Sequence, residues 1–517
     1  MISNKFVGSK AFERGALGIL MFAVIGNPFK ATAYDGGNGT EGNPYLISTQ
    51  AHFTEMAADS EDISTYDQDI HFKLMADLDF SGSTYTEALV TPHPSLSAFY
   101  GTFNGNGHVL RNITIHAGVS TDDYNYNFGV FATIKGTVKN LSVENFQITS
   151  DSSSTRLQSA GSICGTLSRG TISNCYASGS ISAPTNSFIA GGLCGDVGTS
   201  GSAVVRRSRS SVSLVLGEGS GYMGGLMGIA YPYADVQECF ASGSITIQSG
   251  PNEHGSIYSG GFCGRNWGTI ENCYAAGAVT GTGYNLGFGG FCGKNDKDGT
   301  LTKCYSTGQV VGNYSPYPSG GFCGGTEVGN VTNCFWDTQT SGKLTSTSGT
   351  GKTTYYMQDG STFALADWDL ESIWYMDGYP HLLWENPSRQ LNAFEQWMND
   401  ENVSDGQQSE EDTPAGDCVP NLLKYACGLP ALQVCTTSNL MQVVDGEEAF
   451  SVRYYKSKTS EGVLLEPAWA SSLTGEWKTT GVEDAWVSDA GDREERKASI
   501  PLGSGGFIRL RALLVSE

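Results

Sequence analysis

The chain has 517 residues, 68 of them glycine, with 39% hydrophobic and 16% charged residues. So turn-rich and charge-poor a composition suits an all-β repeat protein better than a helical one. With 53 acidic against 30 basic residues the formal charge is −23, which argues against nucleic acid or an anionic membrane as the main partner, since either needs a clustered basic surface.

Lys5, Lys10 and Arg14 precede the apolar run ALGILMFAVIG, and Ala31 to Ala33 supply small residues for cleavage. Residues 1–33 therefore read as a signal peptide. The run is too short to span a bilayer as a helix, and no second run of about 18 apolar residues follows. The mature chain, from about Tyr34, is expected to be exported, extracellular or at the cell surface, without a membrane span.

Residues 34–100, with HFKLMADLDF, read as an N-terminal capping segment, and repeating coils follow over 101–340. GGFCGRNWGTIENCYAAGAVTG at 260–281 returns as GGFCGKNDKDGTLTKCYSTGQVVG and GGFCGGTEVGNVTNCFWDTQTSG. Cys164 to Cys194 is 30 residues, Cys263 to Cys292 is 29, and Cys292 to Cys323 is 31. A period near 30 in Gly pairs, Asn and β-branched residues means a β-solenoid. In TVKNLSV, Val138 and Leu141 are three apart, so both face a core only if the chain turns between them. Asn140, Asn174, Asn272 and Asn333 occupy that turn, and Asn tolerates the left-handed conformation. With Asn112 of VLRNITI they form an expected Asn ladder, in seven or eight coils running from near Phe103 to Trp336.

Ten cysteines fall in two columns: Cys164, Cys194, Cys263, Cys292 and Cys323 after the Gly pair, and Cys175, Cys239, Cys273, Cys304 and Cys334 at the Asn turn. Phe131 and Met227 replace Cys in the first column, Leu141 and Ser208 in the second, which favours an apolar slot filled by buried thiols. Disulfides are the alternative in an exported chain. Zinc ranks third, because no C-x-x-C or nearby His completes a tetrahedral set.

GGFCGRNWGTIENCYAAGAV resembles the GLUG repeat of bacterial surface proteins, and GTEGNPYLIST, FKLMADLDF, GTFNGNGHVLRNITI and the closing CFWDTQTSGK to WYMDGYPHLLW resemble segments that flank such repeats. The resemblance covers about residues 34–386. It implies an all-β fold, a right-handed parallel β-helix of about 30 residues per coil, exposed outside the cell as an adhesin-like stalk or scaffold. It implies no activity, and the H-E-x-x-H motif of the peptidases found beside such repeats is missing here.

GTGKTT at 349–354 lacks the first Gly of a phosphate loop, where Ser346 stands. KNDKDG at 294–299 brings Asp296 and Asp298 together with two lysines on one turn, a candidate for polysaccharide lysis or hydrolysis that needs a second carboxylate across a cleft. For binding, Tyr222, Tyr258, Tyr284 and Tyr317 each precede a Gly pair, so a row of rings is expected at one corner of successive coils, stacking on sugar or covering the core.

Residues 341–387, including WYMDGYPHLLW, are expected to close the far end of the solenoid, and 388–430 read as an acidic linker with a short helix, NLLKYACGL, ending at Gly428. DTPAGDCVPNLLKYACGL resembles a segment near the end of secreted bacterial proteins in which an Asp cluster suggests calcium; Asp412 and Asp417 are the weak candidates here, and no other metal or cofactor is expected. FSVRYYKS, LLEPAWA, EWKTT and FIRLRAL read as strands of a small β-sandwich-like domain over 431–517. The expectation is a non-enzymatic extracellular scaffold meeting a glycan or cell-surface component. A β-helix lyase or hydrolase and a ligand-free structural spacer stand as alternatives.

Overall fold

Short alternating segments broken by turns every few residues pair with the same segment one repeat later, giving parallel ladders around a continuous core. The computed structural model describes residues 34–386 apart from 63–69, 91–97, 118–125, 151–156, 186–187, 219–220, 249–256, 283–285, 314–318 and 326–327. From 387 on it describes 397–398, 401, 421–427, 429, 441–444, 449–458, 463–470, 478–479, 482–490, 493–501 and 507–514. The signal-peptide reading of 1–33 lies outside these residues.

Phe72, Phe103, Val138, Ile172, Val205, Val236, Ile270, Leu301 and Val331 are successive in-register partners. Their positions give coils of 30 to 35 residues. Tyr45 pairs with Phe72 in the same ladder, so the rungs start well before Phe103, and residues 34–100 are a cap only in part. Six strands form a third row: Tyr126–Phe128, Leu157–Ala160, Phe188–Gly191, Gly221–Gly224, Ile257–Gly260 and Leu286–Gly289. About six coils are thus complete. At the start of the rod the helix Gln50–Asp62 buries Phe53 and Met56, with the Phe53 ring edge-on to Phe80 and Phe103 at 5.6 and 5.9 Å.

The corner after the first row is a column of left-handed residues. Asn140, Asn174, Arg207, Glu238, Asn272, Lys303 and Asn333 all have φ between 45° and 55°. Asn174 Nδ2 donates to Asn140 Oδ1 at 3.1 Å, and Asn140 Nδ2 to Asn104 Oδ1 at 3.2 Å. Arg207 and Glu238 interrupt the ladder and replace its amide bonds with a 3.0 Å ion pair. Asn112 is not in this column: Gly105 holds the equivalent place, its N–H donating to the Lys139 carbonyl. Asn112 belongs to the next corner, where it has φ 61° and accepts from Asn145 Nδ2 at 2.7 Å. Lysine gains nothing from this backbone and meets its steric cost of roughly 1–2 kcal/mol. We expect Lys303→Asn to stabilise the solenoid by about 1 kcal/mol, measured as a rise in its thermal unfolding midpoint.

The far end closes differently from the sequence expectation. Residues 343–352 cover the last coil, with Gly321 N–H donating to the Thr345 carbonyl and Phe322 N–H to Ser346 Oγ, both at 3.1 Å. The aromatic stretch WYMDGYPHLLW lies along the flank instead. Phe240, Tyr274, Tyr305 and Phe335 are register partners on successive coils, and they share one apolar cluster with Met357, Phe363, Trp368, Trp374 and Leu382. Indole N–H groups of Trp384, Trp374 and Trp368 donate to the Glu238 carbonyl, Asn272 Oδ1 and the Asn333 carbonyl. A flat aromatic ladder on an outer face needs such a cover, and this segment braces four coils at once.

In the C-terminal region the helix Asn421–Cys427 precedes a four-stranded antiparallel sheet and a separate pair, Val463–Ala470 with Phe507–Leu514. Cys427, Val452, Tyr454, Leu465, Ala498, Ile500 and Ile508 bury one core shared by the helix and both sheets. The strands Met441–Val444, Glu483–Ala490 and Arg493–Pro501 went unread in the sequence.

Candidate functional site

Each residue of G-G-x-C-G answers to a particular neighbour. A Cβ on Gly260 would lie 2.2 Å from the Cys263 carbonyl oxygen, one on Gly261 2.2 Å from the Gly290 carbonyl oxygen of the next coil, and one on Gly264 2.4 Å from Met223 N. The third row is therefore folded tightly back onto the strands Cys164–Leu167, Cys194–Val197, Met227–Ala230, Cys263–Asn266 and Cys292–Thr302. The cysteine between these glycines points into the core with Phe262, Phe291 and Phe322, whose rings stack at 4.7 and 5.0 Å.

This elbow collects polar and aromatic side chains from consecutive coils. Tyr222 and Tyr258 are register partners with parallel rings, centroids 6.1 Å apart. Arg265 forks onto Asp296 through Nε at 2.6 Å and Nη2 at 3.0 Å, and its Nη1 donates to Tyr222 Oη at 2.9 Å. Its guanidinium lies 3.8 Å over Trp267, which stacks with Tyr231 at 5.6 Å. Lys294 pairs with Asp296 at 3.1 Å and sits 5.6 Å over the Tyr258 ring. Burial discourages the Arg265 charge, but Asp296 more than offsets that and raises its pKa.

Asp196 is the odd member. It is 5% exposed, on the strand position whose successive partners are Ile229, Arg265 and Lys294. Burial pushes its carboxyl up to about 7, against a lowering hydrogen bond from Ser159, and its Oδ1 has no hydrogen-bond partner. Tyr231 is pushed up to about 12 by burial and then by Asp196.

KNDKDG is no turn: it is part of one long strand, Cys292–Thr302, along which Asp296 is buried and Asp298 exposed. Three coil steps of about 4.8 Å put Asp196 roughly 14 Å from the level of Asp296, beyond the roughly 5–9.5 Å that separates the two carboxylates of glycosidases.

Of the four tyrosines, Tyr222 and Tyr258 come together, while Tyr284 and Tyr317 lie outside the described residues. Register gives Gly287 as the next partner of Tyr258. Ring faces in the pair lie parallel, Tyr258 is buried, and the half-buried Tyr222 has its hydroxyl held by Arg265. Arg265, Trp267, Tyr231 and Asp196 were missed by the sequence reading. For Trp267 and Arg265 the signal was present in RNW, directly after the repeat's cysteine.

The register Phe131, Cys164, Cys194, Met227, Cys263, Cys292, Cys323 defines the first thiol column. In the second, the thiols of Cys175, Cys239, Cys273, Cys304 and Cys334 donate to the carbonyl two residues back, at 3.1 to 3.3 Å. Ser208 does the same at 2.8 Å and accepts from the Cys175 N–H. That slot therefore takes small donors as well as the apolar Leu141. All ten coil thiols are buried and free. The calcium candidates Asp412 and Asp417, and Cys418 and Cys435, lie outside the described residues. Among the described residues no cluster of three or more His, Cys, Asp or Glu is placed to hold a metal, and no helix is long and apolar enough to cross a membrane.

The GLUG motif matches residues 255–280, the coil that carries Tyr258, Arg265 and Trp267. Over 151 residues the chain is 31% identical to a protein of Evansella cellulosilytica provisionally named a Gly-rich membrane protein, covering 29% of this chain and 14% of that one. Over 210 residues it is 29% identical to halomucin of Haloquadratum walsbyi, covering 39% of this chain and 2% of that protein. The chain thus spans a small part of the relatives it matches. A crystal structure from Bacteroides ovatus, provisionally described as an immunoglobulin A1 protease, aligns with TM-score 0.46 and 20% identity over 68% of this chain and 96% of its own. The chain is thus a parallel β-solenoid one of whose coils, residues 255–280, carries the GLUG motif.

Proposed function

We propose that the chain is an exported, surface-exposed scaffold whose elbow contacts carbohydrate along the rod, without cleaving it. The observation that carries this reading is the cluster of Tyr222, Tyr231, Tyr258 and Trp267 interleaved with Arg265 and Lys294 on neighbouring coils. The half-buried rings of Tyr222, Tyr231 and Trp267, with Tyr258 buried among them and charged donors fixed beside them, offer apolar contact and hydrogen bonding together. Surface placement draws support from the relative named as a membrane protein. Against catalysis stand the commitment of Asp296 to Arg265 and Lys294 and its separation from Asp196.

The test uses purified residues 34–517 with neutral and acidic polysaccharides, scoring retained protein and new chain ends in the same tubes. Retention without new ends is expected, and Tyr231→Ala combined with Trp267→Ala should weaken it about tenfold while the circular dichroism spectrum is unchanged. New chain ends would establish an enzyme. Neither retention nor cleavage would leave a spacer.

A further inference from the structure

The thiol columns are a string of potential bridges between coils, and the spacing decides which. In-register parallel strands hold Cα atoms about 4.8 Å apart, inside the 4.4–6.8 Å span of disulfides. Cys164 and Cys194 are direct register partners, as are Cys263 and Cys292, and Cys292 and Cys323. In the second column Cys239 N–H donates to Cys273 Sγ and Cys304 N–H to Cys334 Sγ, each at 3.4 Å. Electrostatic interaction joins Cys194 to Cys164, Cys292 to both neighbours, Cys273 to Cys239 and Cys304, and Cys334 to Cys304, and reaches more weakly across the columns from Cys194 to Cys239 and from Cys334 to Cys323.

We propose that these columns are oxidation sites, at which disulfides form vertically between consecutive coils and never across from one column to the other. In each bridge two S–H bonds break and one S–S bond forms. The two protons and two electrons pass to a small-molecule disulfide, which is released as two thiols. Met227 separates Cys194 from Cys263, and Ser208 separates Cys175 from Cys239. Full pairing is then Cys164–Cys194, Cys239–Cys273, Cys304–Cys334 and Cys292 with one neighbour, leaving two of the ten thiols reduced. Burial pushes Cys194, Cys273, Cys292 and Cys334 well above the ordinary thiol range. Burial would raise Cys304 too, but hydrogen bonding with Cys273 and Cys334 holds it down to about 5. It is shut away from solvent like the other nine coil thiols, so exchange with an oxidant in solution is blocked in the assembled rod. Exchange belongs to the assembly of the coils, before the columns close. Export supplies the oxidising surroundings, but the chemistry is testable without it.

The experiment refolds residues 34–517, with Cys418, Cys427 and Cys435 replaced by Ser, in oxidised glutathione, and maps links by non-reducing peptide mass spectrometry. Free thiols should fall from ten to two, with links only between consecutive members of a column. Protein folded first under reduction and then given the same oxidant should keep most of its thiols. In Cys292→Ser, Cys263 and Cys323 are two coils, about 9.6 Å, apart and should both stay reduced, while the other three bridges persist. Ten free thiols in oxidatively refolded protein with a native circular dichroism spectrum, or dominant cross-column links such as Cys164–Cys175, would overturn the proposal.

Discussion

Replacing Asp196 by Asn is expected to stabilise the solenoid by about 2 kcal/mol at pH 8 and to give no gain at pH 4. Burial sets the folded carboxyl near 7, against about 3.9 in an unfolded chain. Below about pH 3.9 both states are protonated and the group costs nothing. As pH rises from there to 7 the unfolded chain releases its proton first, so stability falls across that window and levels off above it. Three pKa units correspond to about 4 kcal/mol. Asn cannot ionise and keeps an acceptor for Ser159, but its amide brings a donor to the unpartnered position, which takes back about 1–3 kcal/mol. Urea unfolding of both proteins from pH 4 to 8 decides the matter: curves that stay parallel would mean that Asp196 ionises as freely in the folded rod as in the unfolded chain.

The solenoid was legible because its determinants are local and repeated. Three glycines and a cysteine recur at fixed spacing since the same carbonyls and the same returning strand meet every coil. The left-handed corner was legible where Asn fills it, at Asn140, Asn174, Asn272 and Asn333, and opaque at Arg207, Glu238 and Lys303, where packing holds an unsuited residue in the same backbone. Asn112 misled because two corners use one residue type. The site was harder to read. Its contacts run between coils about 30 residues apart, so nothing near KNDKDG announces that Arg265 will bury Asp296 and draw the segment into a strand. Nothing in CGDVG says that Asp196 will be buried, with a hydrogen bond from Ser159 of the preceding coil opposing the cost. In the C-terminal region Gly491 and Asp492 between alternating runs are a two-residue hairpin signal, legible and passed over.

Gly264→Ala should damage the elbow severely. The added carbon would lie 2.4 Å from Met223 N, 2.7 Å from Gly228 O and 2.8 Å from the Tyr222 carbonyl carbon. All three are backbone atoms, so no side chain can swing aside. Relief requires the third row to lift off the strand beneath it, which breaks the fit of Phe262 and Cys263 in the core. Overpacking of this kind costs about 3 kcal/mol or somewhat more. The lifted row also carries Tyr222 away from Arg265, so a part of the proposed carbohydrate contact goes with it. Gly42→Ala is the matched control: nothing stands within 4 Å of its added carbon, and a change within about 0.5 kcal/mol is expected. Thermal unfolding of the two variants separates the explanations. A Gly264→Ala protein as stable as Gly42→Ala would show that the rows have slack at the elbow, and the three glycines of the repeat would then need another cause.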